Sequence, residues 1–297
     1  MVIRLLFVIL LFTGNLISIF GQAPNVSDYP ESLTSDFSNF TQSVKRLSPD
    51  ENVGMTFLNQ RYTNLLSDIS LVNFSGFVRF KTKHQFGLQA NSLKEGPFID
   101  KTRAYVHYAY ALRVFGETAL SLGLSAGMMK IGLEEPGLGA KQAITPDANF
   151  DILIHHPKYF LSYTLNQALD ASIAPLYTNI SLTRFHELRL GYDLEIGLDW
   201  KLRLQSHNLI YRDRKNQFGG IALIDYNSAI SFGLGMYNLS TFLAQAKLLV
   251  TPFDSFQFAF LGSYKQLISK NQFNTYLNTW EVGLIISKIN SKTVHEE

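Results

Sequence analysis

The sequence predicts an all-β protein, a transmembrane antiparallel β-barrel of about fourteen strands, and three observations predict it. Apolar residues alternate with small or polar residues along most of the chain, which is the period of two of a β-strand. Hydrophobic residues make up 46% of the 297 residues and charged residues only 17%, whereas a typical soluble domain has roughly 25% charged residues. The first residues also have the pattern of an export signal, and the chain contains no cysteine.

The stretch 118–131 shows the pattern most clearly. Its apolar positions alternate with small or polar ones, and no charged residue occurs between Thr118 and Met129. A soluble sheet would carry charge on its second face, whereas a membrane strand of about ten residues turns one face to lipid and a small or polar face to the interior. The apolar positions are Leu120, Leu122, Leu124, Ala126 and Met128.

The first residues predict the compartment. Arg4 precedes an apolar core at 5–12 and then small residues as far as Gly21, which is the pattern of a secretory signal peptide. We expect cleavage after Gly21, with Ala23 as the alternative, so residues 1–21 form the signal. An uncleaved anchoring helix is the other interpretation, but the apolar core is short for a membrane span.

The export signal and the missing cysteine together narrow the possible architectures. Without cysteine the chain forms neither disulfides nor a lipid-modified cysteine, and beyond residue 30 no apolar run is long enough for a transmembrane helix. We expect a periplasmic segment or plug at 22–51, the barrel at 52–289 and a C-terminal tail at 290–297. The net charge of +2 gives no reason to expect a nucleic-acid partner.

Alternation and turn signals place the strands in order. Tight turns are expected at 115–117, 155–158, 213–216 and 252–254, since these contain glycine, proline or charged residues between alternating stretches. Long loops are expected at 133–149, which contains Pro136, Gly137 and Pro146, and at 170–184. The predicted strands are 52–58, 71–80, 86–91, 104–112, 118–131, 150–154, 159–165, 188–196, 201–212, 218–226, 229–237, 241–250, 256–265 and 280–286.

Charged side chains fall opposite the apolar faces of several predicted strands. Arginine or lysine on the lipid face near mid-membrane costs about 2–4 kcal/mol, so we expect these side chains to point into the barrel. There they either line a selective pore or form an ion-pair network across the lumen; we favour the network, and the pore stays open as an alternative. The residues are Arg79, Arg103, Arg113, Arg189, Asp193, Glu195 and Arg203.

A soluble β-sandwich is the alternative fold. Aromatic residues near the ends of the predicted strands disfavour it, because they are expected in the interface girdles of a membrane barrel. They include Tyr159, Tyr192, Trp200, Tyr211, Tyr237, Tyr264 and Trp280.

The possible catalytic motifs have weak support. Residues 123–127 match the G-x-S-x-G pattern of hydrolases, but that motif needs a sharp strand-to-helix turn and here lies within an alternating stretch. His155 and His156 are adjacent, so on a strand they point to opposite faces and do not bind one metal together. The glycines at 132–141 lack the spacing of a phosphate-binding loop. We therefore expect no catalytic, metal or cofactor site, and a hydrolase would depend on Ser125.

Several phrases in their order along the chain resemble the PorP/SprF family of outer-membrane proteins of the type IX secretion system. They lie at 118–133, at 147–151 with 158–163, at 186–192 with 200–202, and at 280–284. The residues that carry the family-like motifs are Asn149, Phe150, Asp151 and Glu281. The early Asn-Pro-Ala-Tyr-Ala-Gly signature of the family is not found, and the chain continues past the last strand, so the resemblance is to a divergent member.

The resemblance implies a non-catalytic outer-membrane barrel of the type IX secretion and gliding machinery. It implies contact with outer-membrane lipid, with a periplasmic OmpA-like lipoprotein and with ring-forming lipoproteins, and no cofactor. It also implies a possible role in anchoring a secreted adhesin by the C-terminal domain of that cargo. The alternative function is an outer-membrane transport barrel, either a porin or a transporter of hydrophobic compounds.

Overall fold

A computed structural model describes residues 51–63, 69–80, 83–97, 99–135, 139–175, 180–212, 215–238, 241–253, 255–267 and 278–289. Within these residues fourteen strands form one closed antiparallel barrel, which confirms the predicted fold class and strand number. None of the described residues lies in a helix long and apolar enough to cross a bilayer. The predicted signal peptide, the segment at 22–50 and the tail at 290–297 lie outside the described residues.

The strands follow one another around the barrel, except that a short two-stranded sheet of β8 and β9 interrupts the order between β7 and β10. They are β1 Glu51–Thr63, β2 Ile69–Phe80, β3 His84–Glu95, β4 Ile99–Phe115, β5 Thr118–Glu135, β6 Gly139–His156, β7 Tyr159–Asn166, β8 Ser172–Ile173, β9 Ile180–Ser181, β10 Phe185–Ile196, β11 Trp200–Tyr211, β12 Gln217–Tyr226, β13 Ile230–Tyr237, β14 Thr241–Phe253, β15 Phe256–Leu267 and β16 Asn278–Ile289.

The two faces of the sheet differ as the alternation requires. In β5 the side chains of Leu122, Leu124 and Met128 are exposed, whereas Ser125 and Met129 are buried. The same contrast holds in β13, where Phe232 and Leu234 are exposed on the outer face. An apolar outer face and a buried polar inner face are the arrangement of a barrel immersed in lipid.

The two rims of the barrel differ in their connections. One rim carries tight turns at 116–117, 157–158, 197–199 and 227–229, together with the start of β1 and the end of β16; we call it the turn end. The opposite rim carries the long connection 167–184, and we call it the loop end. Gly116 and Gly197 have positive φ angles of 53° and 77°, a conformation that glycine adopts without steric cost.

Aromatic rings lie on the outer face near both rims of the barrel. At the turn end Trp200 packs on Tyr226 with ring centroids 4.7 Å apart, and at the loop end Tyr264 packs on Trp280 at 4.4 Å. Rings at two heights are typical of the two interfaces of a bilayer, since their amphipathic edges favour the headgroup region.

The predicted long loop at 133–149 is wrong. β5 continues to Glu135, and β6 begins at Gly139, so the two strands pair from Glu135↔Gly139 to Ala119↔His155. β7 pairs only with the part of β6 from Phe150 to His156. The β5–β6 hairpin therefore rises beyond β7 at the loop end.

The connection 167–184 folds back against the inner face of this hairpin. Ile173 of β8 and the neighbouring Leu182 pack on Met129 and Ile131 of β5, and all four side chains are buried. We call these four residues the apolar cap. They close part of the loop end with an apolar cluster, where the sequence predicted only an irregular loop.

Closure of the barrel depends on the pairing of β1 with β16, which we call the seam. The register runs from Glu51↔Ile289 to Thr63↔Asn278, with one irregularity at Asn52, so the two strands are paired from end to end apart from that residue. Lipid offers no hydrogen-bond partners to backbone groups, and an unpaired edge within the bilayer would therefore cost several kcal/mol per group.

Candidate functional site in the barrel interior

One buried ion cluster is centred on Glu187 of β10, whose side chain is completely buried. Arg189 donates to Oε1 of Glu187 through Nε, and Nε2 of His207 on β11 lies 3.1 Å from the same oxygen. Asn166 of β7 donates to Oε2 at 3.4 Å. A buried carboxylate needs such charged and polar partners, because removing it from water is otherwise strongly unfavourable.

A second cluster lies closer to the turn end and joins β10, β11 and β12. Nε of Arg203 donates to Oδ1 of Asp193 at 3.0 Å, and Nζ of Lys201 lies 3.3 Å from Oδ2 of the same aspartate. Arg203 also approaches Asp225, with 3.8 Å between Nη2 and Oδ2. The cationic and acidic side chains therefore bridge neighbouring strands on the inner face.

The predicted charged residues occupy different environments on the inward register. Arg103 is buried, and the side-chain amide of Gln167, with its oxygen turned towards Arg103, accepts from Nη2 at 3.0 Å. Arg79 is half-buried near the turn end, while Arg113 and Glu195 are exposed on that rim. Of the seven predicted residues, Arg189, Asp193, Arg203 and Arg103 thus reach the interior clusters.

Polar contacts also cross the wall from β4 to β7. The hydroxyl of Tyr105 donates to Oδ2 of Asp147 at 2.5 Å, and Oγ1 of Thr164 donates to Oδ1 of Asp151 at 2.6 Å. All four side chains are buried. These hydrogen bonds join the inner faces of β4, β6 and β7.

The residues of the family-like motifs lie in strands of the barrel wall. Oδ1 of Asn149 accepts from the backbone N–H of Gln167 at 3.0 Å, at the point where β7 ends and the chain turns with a positive φ of 54°. Phe150 lies on the outer register of β6, opposite Leu124. Glu281 is buried in the seam and accepts from Nε2 of Gln60, its partner in the β1–β16 register.

Ser125 belongs to a hydrogen-bonded row across three strands. Nδ1 of His107 lies 2.8 Å from Oγ of Ser125, and Nε2 lies 3.1 Å from Oε1 of Gln89. The row has the order of a nucleophile, base and orienting group. However, Ser125 and His107 are both buried, and Ser125 lies within the continuous strand β5, where the backbone N–H groups are committed to the sheet.

Metal-binding clusters are also absent from the described residues, in which no group of three histidine, cysteine, aspartate or glutamate side chains is placed to hold an ion. His155 lies on the inner register of β6 and His156 on the outer one, where it stacks on Tyr159 at 4.6 Å.

The sequence reasoning missed several interior residues. Glu187 follows the same alternation as Arg189 and Asp193, so its inward position was readable from the pattern. Gln60 and Asp147 also lie on the inner face. Their partners could not be inferred, because each contact joins neighbouring strands whose register only the structure gives.

The closed sheet, apolar exterior, aromatic levels and polar interior define an outer-membrane β-barrel. The fold is similar to that of the CymD monoaromatic hydrocarbon channel, with a TM-score of 0.54 and 9% identity over 88% of this chain and 97% of that one. It is also similar to a Pseudomonas aeruginosa FadL homologue, with a TM-score of 0.53 and 9% identity over 89% and 95% of the two chains.

A third similar structure is Omp33 of Acinetobacter baumannii, with a TM-score of 0.52 and 11% identity over 82% of this chain and 100% of that one. At these identities the likeness shows the fold and no more. No curated protein matches the sequence.

The sequence itself gives the particular family. Residues 47–284 match the family of the type IX secretion system membrane protein PorP/SprF, and the chain therefore belongs to it. This confirms the resemblance drawn from the residues and places the protein in the outer membrane. Since barrels of this class have short periplasmic turns and longer extracellular loops, we expect the turn end to face the periplasm and the loop end to face the cell exterior.

Proposed function

We propose that the protein is a non-conducting, non-catalytic anchor of the type IX secretion and gliding machinery. The observation that supports this proposal is the set of hydrogen bonds and ion pairs among side chains on the inner face. Glu187, Asp147 and Glu281 are buried on the inner face and engaged with side chains of neighbouring strands. A diffusion porin instead needs a continuous aqueous lumen lined by solvated groups.

The expected periplasmic partners are an OmpA-like lipoprotein and the ring-forming lipoproteins. The turn end offers a surface for such a contact, because apolar side chains are exposed on its tight turns and not confined to the membrane belt. Phe115 is 82% exposed beside the turn at 116–117, and Leu198 is fully exposed at the tip of the turn at 197–199. Exposed apolar side chains outside the lipid belt favour a protein contact.

Cross-linking in cells tests the periplasmic contact. A Leu198→Cys variant carries the only thiol in the chain, because the natural sequence has no cysteine. We expect a short heterobifunctional cross-linker at this thiol to give adducts with periplasmic lipoproteins of the machinery. Leu234→Cys, on the outer face of β13, is the matched control and should give none. Adducts from neither position, or equally from both, would contradict the proposed contact.

Conductance in planar bilayers tests the closed interior. We expect the purified barrel to give no steady open-channel current, since the side chains of the inner face are bonded across the wall. A steady current at low applied voltage would favour the porin instead.

Transport of hydrophobic compounds is a second candidate, and the apolar cap is the observation that favours it. Ile173, Leu182, Met129 and Ile131 form an apolar cluster at the loop end, and CymD, one of the fold neighbours, is a monoaromatic hydrocarbon channel. Binding of toluene to the purified barrel, lost in a Met129→Asn variant that still folds, would support this candidate over the anchor.

A further inference from the structure

On one side of the barrel interior, the cationic side chains are more exposed to solvent than the acidic ones. Five cations on the inner register of β10, β11, β14 and β15 are half-buried, and we call them the cationic wall: Arg189, Lys201, Arg203, Lys247 and Lys265. The acidic side chains on the inner register of β10, β12 and β16 are buried, apart from Glu195 on the turn-end rim; they are Glu187, Asp193, Asp225 and Glu281. The solvated surface on this side is therefore mainly cationic.

The exposed fractions of the side chains show this difference within single ion pairs. Lys201 and Arg203 are 35% and 16% exposed, whereas Asp193, which contacts both, is 2% exposed. Arg189 is 11% exposed, and its partner Glu187 is completely buried. Two cations share the carboxylate of Asp193, and a guanidinium has more N–H donors than one carboxylate engages. A surface lined by one sign of charge attracts an anionic group to its solvated side.

Three buried polar atoms beside the cationic wall have no hydrogen-bond partner in the part of the chain that the structure describes. They are Oγ of Ser231, Oε1 of Gln245 and Oγ of Ser263, each in a side chain that is less than a tenth exposed. Ser231 is the register partner of Lys247, and Gln245 is that of Ser263. The hydroxyls donate and accept, whereas Oε1 only accepts. A polypeptide segment, with N–H groups and carbonyl oxygens, supplies both kinds of partner.

The interior of this barrel has room for such a segment. Wall side chains fill the interior of a barrel of about eight strands, and the diameter grows roughly in proportion to the strand number. Fourteen strands enclose a wider interior, and solvent reaches its inner surface at the cationic wall. Since the apolar cap covers part of the loop end, we expect an occupant to enter the lumen from the turn end.

The segment that precedes β1 is attached at this opening. Residues 22–50 lie outside the described residues, and β1 begins with Glu51 at the turn end. Fifteen residues separate Asp36 from Glu51, and an extended chain of this length spans about 50 Å. A strand of twelve residues rises only about 40 Å, so the segment reaches every level of the lumen.

The charge of the segment complements the cationic wall. Residues 22–44 contain no lysine or arginine, and their three acidic residues are Asp28, Glu31 and Asp36. The two cations of the segment, Lys45 and Arg46, are close in sequence to Glu51. A tethered segment also has an effective concentration of the order of millimolar. It therefore occupies the wall ahead of a separate acidic polypeptide of similar affinity at lower concentration.

We propose that residues 28–36 plug the lumen from the turn end, with the carboxylates of Asp28, Glu31 and Asp36 against the cationic wall. The inference rests on the proposed non-conducting function and deepens it. The plug fills the part of the lumen that the wall side chains leave solvated, on the side lined by β10 to β15.

Cysteine pairs test the position of the segment in the full chain, which has no natural cysteine. Ser35→Cys with Gln205→Cys places one thiol in the segment and the other on the inner register of β11, between Arg203 and His207. Ser35→Cys with Leu204→Cys is the matched control, because Leu204 lies on the outer register of the same strand. In lipid nanodiscs we expect a short bismaleimide to link the first pair within one chain and not the second, read by mass spectrometry of the linked peptides.

Neutralising the three acids tests the charge argument. We combine Asp28→Asn, Glu31→Gln and Asp36→Asn with the Ser35–Gln205 cysteine pair. The three positions precede β1, so the strands of the barrel are unchanged. We expect the yield of the cross-link to fall by about fivefold or more, as the loss of charge pairing lowers the population of the plugged state.

Three outcomes overturn the proposal: no link in the Gln205 pair, equal links in the Gln205 and Leu204 pairs, or an unchanged yield after neutralisation. The plug and the non-conducting function fail separately. A missing link in a barrel that carries no current overturns the plug alone. A steady current from a barrel that gives the link overturns the non-conducting function alone.

Discussion

The seam and the β5–β6 hairpin belong to one sheet but differ in how the edges of their strands are paired. In the seam every residue from Val53 to Thr63 of β1 has a register partner on β16, whereas among the described residues the loop-end part of β6 pairs with a strand on one side only. The difference lies in their surroundings. The seam crosses the bilayer, where only protein satisfies backbone groups, while the top of the hairpin stands in water, which solvates an open edge.

The strongest test of this difference in pairing is to place a proline in each of the two regions. Val282 in β16 is paired with Asn59 on one side and Gly262 on the other, so Val282→Pro removes a ladder bond within the membrane. We expect a loss of about 3 kcal/mol or more in the free energy of unfolding. Ile144→Pro should cost less than about 1 kcal/mol, because its N–H has no ladder partner in the part of the chain that the structure describes. Urea unfolding in lipid vesicles, read by gel mobility, measures both.

If the two proline variants unfold at the same urea concentration, the pairing of β6 is not what the register indicates.

The stability of the barrel should depend on the buried charges beside the hairpin. Glu187 lies on β10 opposite Thr164, near the end of β7, and replacing it with alanine leaves Arg189 buried without its carboxylate. We expect Glu187→Ala to cost about 3–5 kcal/mol. Glu187→Gln keeps hydrogen-bonding atoms and is the matched control, with a smaller loss in the same urea assay. A cost for alanine no greater than for glutamine would show that the ion pair contributes little.

Glycine substitutions sharpen the comparison at the level of packing. A Cβ atom at Gly127 in β5 would lie 2.1 Å from the backbone oxygen of Ala104, whereas one at Gly283 in the seam would lie 2.2 Å from Cδ2 of Leu58. A side-chain tip rotates away, but a backbone oxygen moves only with its strand. We expect Gly127→Ala to cost about 2–3 kcal/mol and Gly283→Ala about 1 kcal/mol, in the range of overpacked sites.

Gly262→Ala is the control for this pair, since no atom lies within 4 Å of its added Cβ. The order of the three urea midpoints should be Gly127→Ala below Gly283→Ala below Gly262→Ala. A reversed order for the first two would place the tighter packing in the seam.

The smallest effect concerns the loop-end connection. Arg184 donates to Asp170 from its backbone N–H at 2.7 Å and from Nε at 2.6 Å, which holds the pKa of the Asp170 carboxyl below its usual value. A lowered pKa in the folded state means that the contribution is present above the unfolded pKa of about 4 and is lost as pH falls through the lower folded value.

Limited proteolysis with pepsin measures this effect. We expect cleavage within 170–184 to increase as pH is lowered below the unfolded pKa of about 4, because protonation of Asp170 weakens its hydrogen bonds with Arg184. An Asp170→Asn variant should be cleaved at a rate nearly independent of pH over this range, once the pH dependence of the protease itself is corrected with a peptide substrate. The same pH dependence in both chains would exclude Asp170 as its source.

Much of the fold could be predicted from the sequence, because lipid-facing and interior-facing residues alternate strictly along the strands of a membrane barrel. The outward residues of β5 and the number of strands followed from that pattern alone. The segment 133–149 did not, since Pro146 signals a loop unless one knows that β7 stops short of that part of β6. The positions of buried charges such as Glu187 were readable, but not their partners, because registers between strands depend on the closed shape.

The seam joins residues that are far apart along the chain, with Glu51 opposite Ile289. Bringing the two ends of so long a polypeptide together carries a large loop-closure entropy, and contacts of this kind form late and slowly. Before β16 pairs with β1, the sheet formed by the preceding strands has two unpaired edges, which promote aggregation. We therefore expect pairing of the C-terminal strand to limit maturation of this barrel, and a truncation that removes β16 should leave an intermediate that does not insert, and not a smaller working barrel.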